Sequence, residues 1–301
     1  MSGAELSGTG LGGTELGGTE LAAGLRARVA ERVTALAAAG CRPRVVVVTA
    51  TADPAGAWYV DSVVRACTRV GIDADVTALG ADAAADRIRA TLAELSAAPD
   101  VSGIILATPL PPGVTVPDVA ECIAVGKDLD GANPLSLGRL VAGLPAFAPA
   151  TAEAVVRLLD HHGIDVRGRE VVVVGRSLVV GRPLAHLLLR RDATVTIAHS
   201  VTRDLPGVTA RADVVVAAVG RAGLIGPGHV QRGAVVVDVG TNVTAGGTLA
   251  GDVDPAVAQV AAALSPVPGG VGPVTTAVLL EHAVEAARGL AVPAGGPAGQ
   301  E

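Results

Sequence analysis

The strongest chemical signal in the chain is a glycine turn that follows a run of four valines at residues 171–174. Gly175 ends the valine run, Ser177 and Gly181 follow, and an apolar-periodic segment continues to Arg191. This order predicts a buried strand, a tight turn and the start of a helix. A helix start presents free backbone N–H groups and the positive end of the helix dipole, which attract phosphate. The spacing favours a dinucleotide site, and the alternative is an ordinary strand–helix turn of an α/β protein.

The residues around this turn favour NADP over NAD. In NAD-binding sites of this type the next strand usually ends in Asp or Glu, whose carboxylate binds the ribose 2′-hydroxyl and repels a 2′-phosphate. Here that strand ends at His199 and Ser200, with Arg203 close behind. Arg176 adds a permanent cation inside the turn, for which the alternative role is a surface ion pair.

Other polar residues do not form a metal-binding pattern. The three cysteines are far apart in the sequence, and the six histidines form no ligand cluster. Asp128 and Asp130 share one loop, but two carboxylates without further ligands make a weak metal site. Asp252 lies in a GDVD segment, where we expect it to structure a turn rather than to do chemistry. No metal cofactor is predicted.

Length and charge restrict the class of protein. The chain has 301 residues, half of them hydrophobic, which gives room for two domains with a sizeable core. Its net charge is −6 and it has no long basic run, which argues against nucleic acid or an anionic membrane as a partner. No stretch approaches 18 apolar residues, and the first residues lack a signal-peptide pattern, so we expect a cytoplasmic protein.

Strands and helices alternate along the chain, which predicts an α/β fold with largely parallel sheets. A Gly/Thr-rich repeat at 6–20 predicts a disordered tail over 1–17, with structure beginning near Leu21. Strands are expected at 44–50, 73–79 and 102–108, with helices at 21–40, 59–70, 82–97 and 116–125. A second unit begins near Thr151, with a helix, the strand before Gly175 and three later strand-like segments that form a Rossmann-like half-fold. A closing helix is expected at 274–289, followed by a disordered tail over 290–301.

Several segments together resemble one family over about residues 18–290. These segments include GKDLDG, VVGRSLVVGRPLA and SPVPGGVGP. They resemble the bifunctional methylenetetrahydrofolate dehydrogenase/methenyltetrahydrofolate cyclohydrolases. The resemblance implies a folate-binding domain at 18–148 closed by helix 274–289, an NADP-binding Rossmann domain at 149–273, and a cleft between them. It also implies a homodimer.

The resemblance assigns roles residue by residue. Gly175, Arg176 and Ser177 match the family's phosphate turn, Ser200 its contact to the 2′-phosphate, and Thr241 a backbone contact near the adenosine. Tyr59 matches the tyrosine that stacks on folate, and Asp130 matches the aspartate that hydrogen-bonds the pterin ring.

Two departures from the family pattern affect the expected cyclohydrolase reaction more than the expected dehydrogenase reaction. The family has Y-x-x-x-K, but the residue four positions after Tyr59 is Val63. The family also has V-Q-L-P-L-P, and its glutamine, the partner of that lysine, is Ala107 here. The lysine is implicated in the cyclohydrolase step, which must move protons, whereas hydride transfer mainly needs alignment. The single lysine of the chain, Lys127, matches another family position. We therefore expect an NADP-dependent dehydrogenase with weak or absent cyclohydrolase activity.

Three alternatives stay open at this stage. A remote water network could replace the lost pair in hydrolysis. The change from the family's P-C-T-P to P-A-T-A at residues 149–152 fits a diverged paralogue that binds folate or nucleotide without turnover. A pocket made larger and more apolar by Val63 and Ala107 fits a dehydrogenase for another pterin or one-carbon substrate.

Overall fold

The structure is a computed structural model that describes residues 13–244 and 248–291. The first part of the chain contains β1 (Thr14–Glu15), α1 (Thr19–Ala38), β2 (Arg44–Thr49), α2 (Pro54–Arg69), β3 (Asp73–Ala78), α3 (Ala85–Ala97), β4 (Gly103–Leu106), α4 (Val116–Ala120) and α5 (Pro134–Val141). The second part contains α6 (Ala150–His161), β5 (Glu170–Val174), α7 (Gly181–Leu189), β6 (Thr194–Ala198), α8 (Leu205–Thr209), β7 (Val214–Ala217), β8 (Val235–Asp238), β9 (Asn242–Val243), β10 (Leu249–Ala250), β11 (Ala263–Leu264) and α9 (Val271–Ala291).

The first sheet has three parallel strands in the order β3-β2-β4. Strand β2 lies in the centre, and its residues 45–48 are all valines with at most 1% exposure. In register, Val47 pairs with Val76 on one side and Ile105 on the other. A run of β-branched residues buried on both faces is typical of a central parallel strand covered by helices.

The second sheet has six parallel strands in the order β1-β11-β8-β7-β5-β6. Strand β5 lies between β6 and β7, so the strand order reverses beside it, as at the ligand-binding crevice of doubly wound folds. The short β9 and β10 form a separate antiparallel pair. The prediction of an α/β fold with two sheet-containing units and a Rossmann-like second unit is confirmed.

Helices α6 and α9 hold the two sheets together. Helix α9 packs against α1 and α6 and also contacts β2 and β4. One apolar cluster contains Val45 and Val47 of the first sheet, Val171 and Val173 of the second, and Val274 to Val284 of α9. The closing helix expected at 274–289 is therefore present, with three more residues at its start and two more at its end.

The expectation of a disordered segment up to residue 17 is wrong for residues 13–17. Strand β1 joins the second sheet, where Thr14 N donates to Ala262 O at 2.7 Å and Leu16 N donates to Leu264 O at 2.9 Å. The Leu16 side chain is only 1% exposed within the main apolar cluster. Burial of this side chain and the ladder hydrogen bonds offset the ordering entropy that the Gly/Thr composition suggested would dominate. Residues 1–12 and the expected tail from 292 lie outside the described residues.

Helices α2 and α4 differ most in extent from the expectation. Helix α2 begins at Pro54 rather than near residue 59, because the Asp53 side chain accepts a hydrogen bond from Gly56 N at 3.0 Å and proline suits the first helical position. Helix α4 ends at Ala120, and a short 3₁₀ turn at Val125–Lys127 follows it. In the part of the chain that the structure describes, every helix is too short or too polar to cross a membrane.

We predict that Leu16→Ala lowers the free energy of unfolding by about 2–5 kcal/mol, the usual effect of removing a buried leucine side chain. Leu135→Ala is the matched control, because Leu135 is 60% exposed and its removal should cost within about 0.5 kcal/mol. Urea unfolding followed by circular dichroism measures both. Equal effects of the two substitutions would contradict the integration of β1 into the core.

Candidate active site

The glycine turn lies at the carboxyl edge of the second sheet. Gly175 has φ +131°, and a Cβ at this position would overlap the carbonyl oxygen of Ala218 at the end of the neighbouring β7. A Cβ at Gly181 would overlap the carbonyl oxygen of Gly175. Only glycine fits these two positions, because strand β5 and helix α7 approach each other backbone to backbone. The predicted strand–turn–helix unit is therefore present.

The turn leaves its polar groups open at the surface. Ser177 Oγ accepts a hydrogen bond from Val180 N at 3.1 Å, and Arg182 Nε donates to Arg176 O at 3.1 Å. The side chains of Arg176 and Ser177 are exposed. Helix α7 begins directly afterwards, with Arg182 N donating to Ser177 O at 3.1 Å, so the positive end of the helix dipole adjoins the turn. A cation, a hydroxyl and a helix N-terminus thus converge on one surface, a donor set suited to phosphate.

Two other residues that are predicted to bind the nucleotide lie at the same carboxyl edge of the second sheet. Ser200 follows β6 and is exposed, in a loop fixed by the hydrogen bond from His199 N to Thr202 Oγ1 at 2.8 Å. Thr241 follows β8 and is also exposed. Because β5, β6, β7 and β8 are parallel, their carboxyl ends share one edge, which brings Ser200 and Thr241 to the side of the sheet that carries the glycine turn.

Asp252 structures the loops at this edge, as expected, although it does so across several segments. Its carboxylate accepts from the backbone N–H groups of Val219, Gly220 and Arg221 at 2.6–3.0 Å, and from Asn242 Nδ2 at 3.0 Å. It is fully buried.

Asp238 supports Asp252 and was missed by the sequence interpretation. Its carboxylate accepts from the N–H groups of Gly240, Asp252 and Val253 at 2.9–3.0 Å. Burial raises the pKa of Asp238, and these backbone donors partly offset the effect. An acidic residue at the end of an all-valine strand was the sequence signal that could have revealed it.

Tyr59 lies on α2, which starts at the carboxyl end of β2. Gly56 allows the close approach, because a Cβ there would come within 3.0 Å of Thr51 Cγ2 and 3.6 Å of Thr108 O. Tyr59 is half-buried and packs against the main apolar cluster, whereas the neighbouring Trp58 is 60% exposed. Burial raises the pKa of the Tyr59 hydroxyl, and the charge of Asp130 adds to this effect.

Asp130 lies in a loop that extends the first sheet. Ile104 forms a parallel bridge with Asp128, and the buried Asp128 carboxylate accepts from Ala132 N at 2.8 Å and Ser136 Oγ at 2.6 Å. Asp130 Oδ1 accepts from Ala150 N at 2.9 Å. Burial of its carboxyl group raises the pKa of Asp130 to about 6. Tyr59 and Asp130 are therefore near enough for the Asp130 charge to act on the Tyr59 hydroxyl.

The two departures from the family pattern are buried apolar positions. Val63 and Ala107 are each 1% exposed and belong to the same apolar cluster. Ala107 N donates to Val48 O at 2.9 Å, which places it directly after β4 in the sheet. Lys127, the only lysine of the chain, is 8% exposed and its Nζ donates to Ala98 O at 2.6 Å. Its amine is thus engaged at the end of α3.

His282 was assigned no role from the sequence, yet it contacts the Asp130 loop. It is 5% exposed on α9, and its Nδ1 lies 2.8 Å from Leu129 O. Glu153 Oε2 lies 3.1 Å from the other ring nitrogen. One feature of the sequence could have revealed His282. It is a polar residue four positions after Val278 and four before Ala286, on the buried face of the closing helix.

The chain matches two family models. Residues 16–130 match the catalytic domain of tetrahydrofolate dehydrogenase/cyclohydrolase, and residues 149–290 match its NAD(P)-binding domain. The chain belongs to the tetrahydrofolate dehydrogenase/cyclohydrolase family. The Bifunctional protein FolD of Nocardia farcinica is 58% identical over 267 residues, covering 88% of this chain and 94% of that protein.

Solved structures of this family have the same fold. The bifunctional FolD enzyme from Campylobacter jejuni superposes with a TM-score of 0.88 at 36% identity, covering 92% of this chain and 99% of that one. The Trypanosoma brucei methylenetetrahydrofolate dehydrogenase-cyclohydrolase, solved with NADP cofactor and inhibitor, has a TM-score of 0.87 at 30% identity, covering 92% and 98% of the two chains. The family resemblance inferred from the motifs is confirmed.

We predict that Asp130→Asn stabilises this family member at pH 7.5 and much less at pH 4. An aspartate in an unfolded chain ionises near pH 4, whereas burial delays ionisation of Asp130 to about pH 6. Between these values the folded state binds more protons, so the carboxylate lowers stability as pH rises. Asparagine stays neutral and still accepts from Ala150 N.

Urea unfolding at the two pH values measures this difference. Asp53→Asn, which keeps an exposed helix cap, is the control. If Asp130→Asn raised the free energy of unfolding equally at both pH values, burial would not be raising the pKa of the Asp130 carboxyl group.

Proposed function

We propose that this chain catalyses the NADP-dependent oxidation of 5,10-methylenetetrahydrofolate to 5,10-methenyltetrahydrofolate, with little or no cyclohydrolase activity. The observation that carries the proposal is the complete phosphate turn in a family member whose Lys and Gln positions are Val63 and Ala107. The folate-binding domain is residues 18–148 with helix 274–289, and the NADP-binding domain is residues 149–273.

The donor set at the second sheet fits NADP. Gly175, Arg176 and Ser177 bind the phosphates, Ser200 contacts the 2′-phosphate, and the Thr241 backbone lies toward the adenosine. The segment after β6 carries His199 and no carboxylate, so nothing there repels a 2′-phosphate. The Trypanosoma brucei relative was solved with NADP, which supports this choice. NADP, when bound, supplies the acceptor for the hydride.

The folate half of the site consists of Tyr59 and Asp130. The Tyr59 ring stacks on the folate, and the Asp130 carboxylate accepts hydrogen bonds from the N–H groups of the pterin ring. Above about pH 6 the carboxylate is ionised and accepts only, which suits this role. The hydrogen bond from Ala150 N to Asp130 keeps the carboxyl group oriented before the substrate arrives.

The two family reactions make different demands on side chains. The folate nitrogens stabilise the cation left by hydride loss, so the protein mainly aligns the reacting carbons. Hydrolysis of the methenyl product adds water and opens a ring, and both steps move protons. Val63 and Ala107 offer no group for this, and Lys127 is engaged by Ala98 O. Loss of the family pair therefore impairs hydrolysis far more than oxidation.

The family resemblance supports the proposed partners and location, and the surface supports the proposed dimer. The substrate is a small-molecule folate, and we propose a homodimer in the cytoplasm. Strand β6 is an open edge of the second sheet, and Ile197 on it is 38% exposed. Leu189 and Val201, at 51% and 71% exposure, lie next to it in the chain. An apolar sheet edge of this kind suits contact with a second copy.

We predict that the wild-type protein oxidises methylenetetrahydrofolate and that Val63→Lys with Ala107→Gln raises methenyl hydrolysis by about 10²-fold, the usual minimum contribution of acid–base catalysis. Oxidation should change by only a few-fold. The matched control is Val63→Met with Ala107→Gln, which places a long side chain without an amine at position 63. Parallel assays of NADPH formation and of methenyl loss measure both activities.

Three outcomes would count against this proposal. Binding of folate and NADP without oxidation would support a non-catalytic paralogue. Turnover only with another pterin would indicate a changed substrate. Rapid hydrolysis by the wild-type protein would show that another group replaces the lysine.

We also predict that Arg176→Gln raises KM for NADP by about 10- to 100-fold, the effect of losing a charge-assisted hydrogen bond to phosphate. KM for NAD should change little, because we propose that Arg176 contacts the 2′-phosphate together with Ser200, and NAD lacks this group. Arg211→Gln, at an exposed site far along the chain from the turn, is the control. An equal loss with both cofactors would place Arg176 on the shared pyrophosphate instead.

A further inference from the structure

His282 is buried where the closing helix meets the Asp130 loop. Its ring lies 4.7 Å from the Phe147 ring, centroid to centroid, and only 5% of the residue is exposed. Nδ1 faces the Leu129 carbonyl oxygen at 2.8 Å, and Nε2 faces Glu153 Oε2 at 3.1 Å. The ring therefore links α9, α6 and the loop before Asp130 in one hydrogen-bonded path.

Both partners of the ring accept hydrogen bonds and cannot donate them. The Leu129 carbonyl is an acceptor only, and an ionised Glu153 carboxylate is an acceptor only. Burial opposes ionisation of Glu153, but the hydrogen bond from His282 and the charges of His282 and Arg157 lower the pKa of Glu153 to about 2. A neutral imidazole has one N–H and would leave one of these contacts without a proton. The ring is therefore the donor that links these two acceptors.

Charged groups surround the ring and orient Glu153 toward it. Glu153 lies in the first turn of α6, where the helix dipole favours an anion. Its other oxygen accepts from Arg157 Nε at 2.8 Å, and Arg157 also pairs with Glu281 of α9. The charged groups that face the ring from the packed elements are Glu153 and Arg157 from α6, Asp128 and Asp130 from the loop, and Glu281 from α9 itself, with Arg32 of α1 beyond Glu281.

The loop contact connects the His282 ring to the folate half of the site. Leu129 directly precedes Asp130 in the chain. The Asp130 carboxylate has one backbone donor, Ala150 N, whereas Asp128 is fixed by several donors. The Leu129 N–H donates to Ile104 O at 3.3 Å, and the His282 contact to Leu129 O holds the other side of the same residue.

We propose that His282, held between the Glu153 carboxylate and the Leu129 carbonyl, is a positioning residue that helps to fix the Leu129–Asp130 backbone and keeps Asp130 ready to accept from the pterin. The inference rests on the proposed folate-dependent activity. It assigns His282 and Glu153 to ground-state folate binding rather than to the hydride step. Both residues therefore act on KM for folate and leave NADP binding unchanged.

The kinetic test uses His282→Leu, which removes both ring contacts, and Glu153→Gln, which keeps an acceptor and removes the anion. For His282→Leu we expect KM for methylenetetrahydrofolate to rise about 10- to 100-fold, the effect of losing hydrogen bonds that include one to a carboxylate, with kcat within two-fold and KM for NADP unchanged. Glu153→Gln should give a smaller rise, because the ring keeps its contact with Leu129 O. His162→Leu is the matched control, since His162 Nε2 lies 2.9 Å from Gly17 O, away from this loop.

Nitrogen NMR of the labelled wild-type protein tests the ring contacts without relying on activity. We expect one histidine ring N–H that exchanges slowly with water, as a buried and hydrogen-bonded proton does, and that is absent in His282→Leu. In Glu153→Gln the same ring N–H should persist, because Leu129 O still accepts it. This readout also serves if His282→Leu fails to fold, because it is made on the wild-type and Glu153→Gln proteins.

The outcomes separate the two claims. If the wild-type protein turns over methylenetetrahydrofolate but His282→Leu is folded and keeps its KM, the positioning role is wrong and the proposed function stands. A His282 ring N–H that exchanges freely with water would also overturn the inference. A loss of kcat at unchanged KM would place His282 in the chemical step. A wild-type protein that neither binds nor oxidises the folate would overturn both claims.

Discussion

Parallel strands end at a common edge, and this constraint places every candidate residue of the site. In the first sheet, Ala107 comes directly after β4. Helix α2, which carries Tyr59, comes after β2. The loop that contains Asp130 is joined to the sheet by the parallel bridge between Asp128 and Ile104. In the second sheet, the glycine turn, Ser200 and Thr241 follow β5, β6 and β8. Helices α6 and α9 bind the two sheets through one apolar cluster. This framework of strands and helices fixes the positions of the site residues.

The electrostatics of the two halves differ in kind. The second sheet offers exposed donors and a cation for phosphate, whereas the first offers a desolvated carboxylate with raised pKa beside a half-buried tyrosine. The position that family members fill with an amine is apolar and closed to solvent here. Under the proposed function such a site orients folate and accepts its N–H groups, while Val63 and Ala107 offer no group for the proton transfers of ring opening.

Much of the fold was predictable because its signals are local. Valine runs with glycine turns gave the central strands of both sheets, and the G-x-S-x-x-x-G spacing located the phosphate turn. The exceptions depend on distant partners. Strand β1 forms because Leu16 is buried under β11, more than 240 residues away in sequence, and no local pattern in a Gly/Thr repeat encodes this. The roles of Asp238 and His282 likewise arise from contacts 14 or more residues away.

The separation of oxidation from ring opening is the central claim, and product stoichiometry in a single reaction tests it most directly. The purified wild-type protein is given methylenetetrahydrofolate and NADP, and NADPH, methenyltetrahydrofolate and 10-formyltetrahydrofolate are quantified together over time against an enzyme-free hydrolysis control. The structure predicts one methenyl group accumulated for each NADPH formed, with 10-formyl product no faster than in the control. Formation of 10-formyltetrahydrofolate in step with NADPH would contradict it.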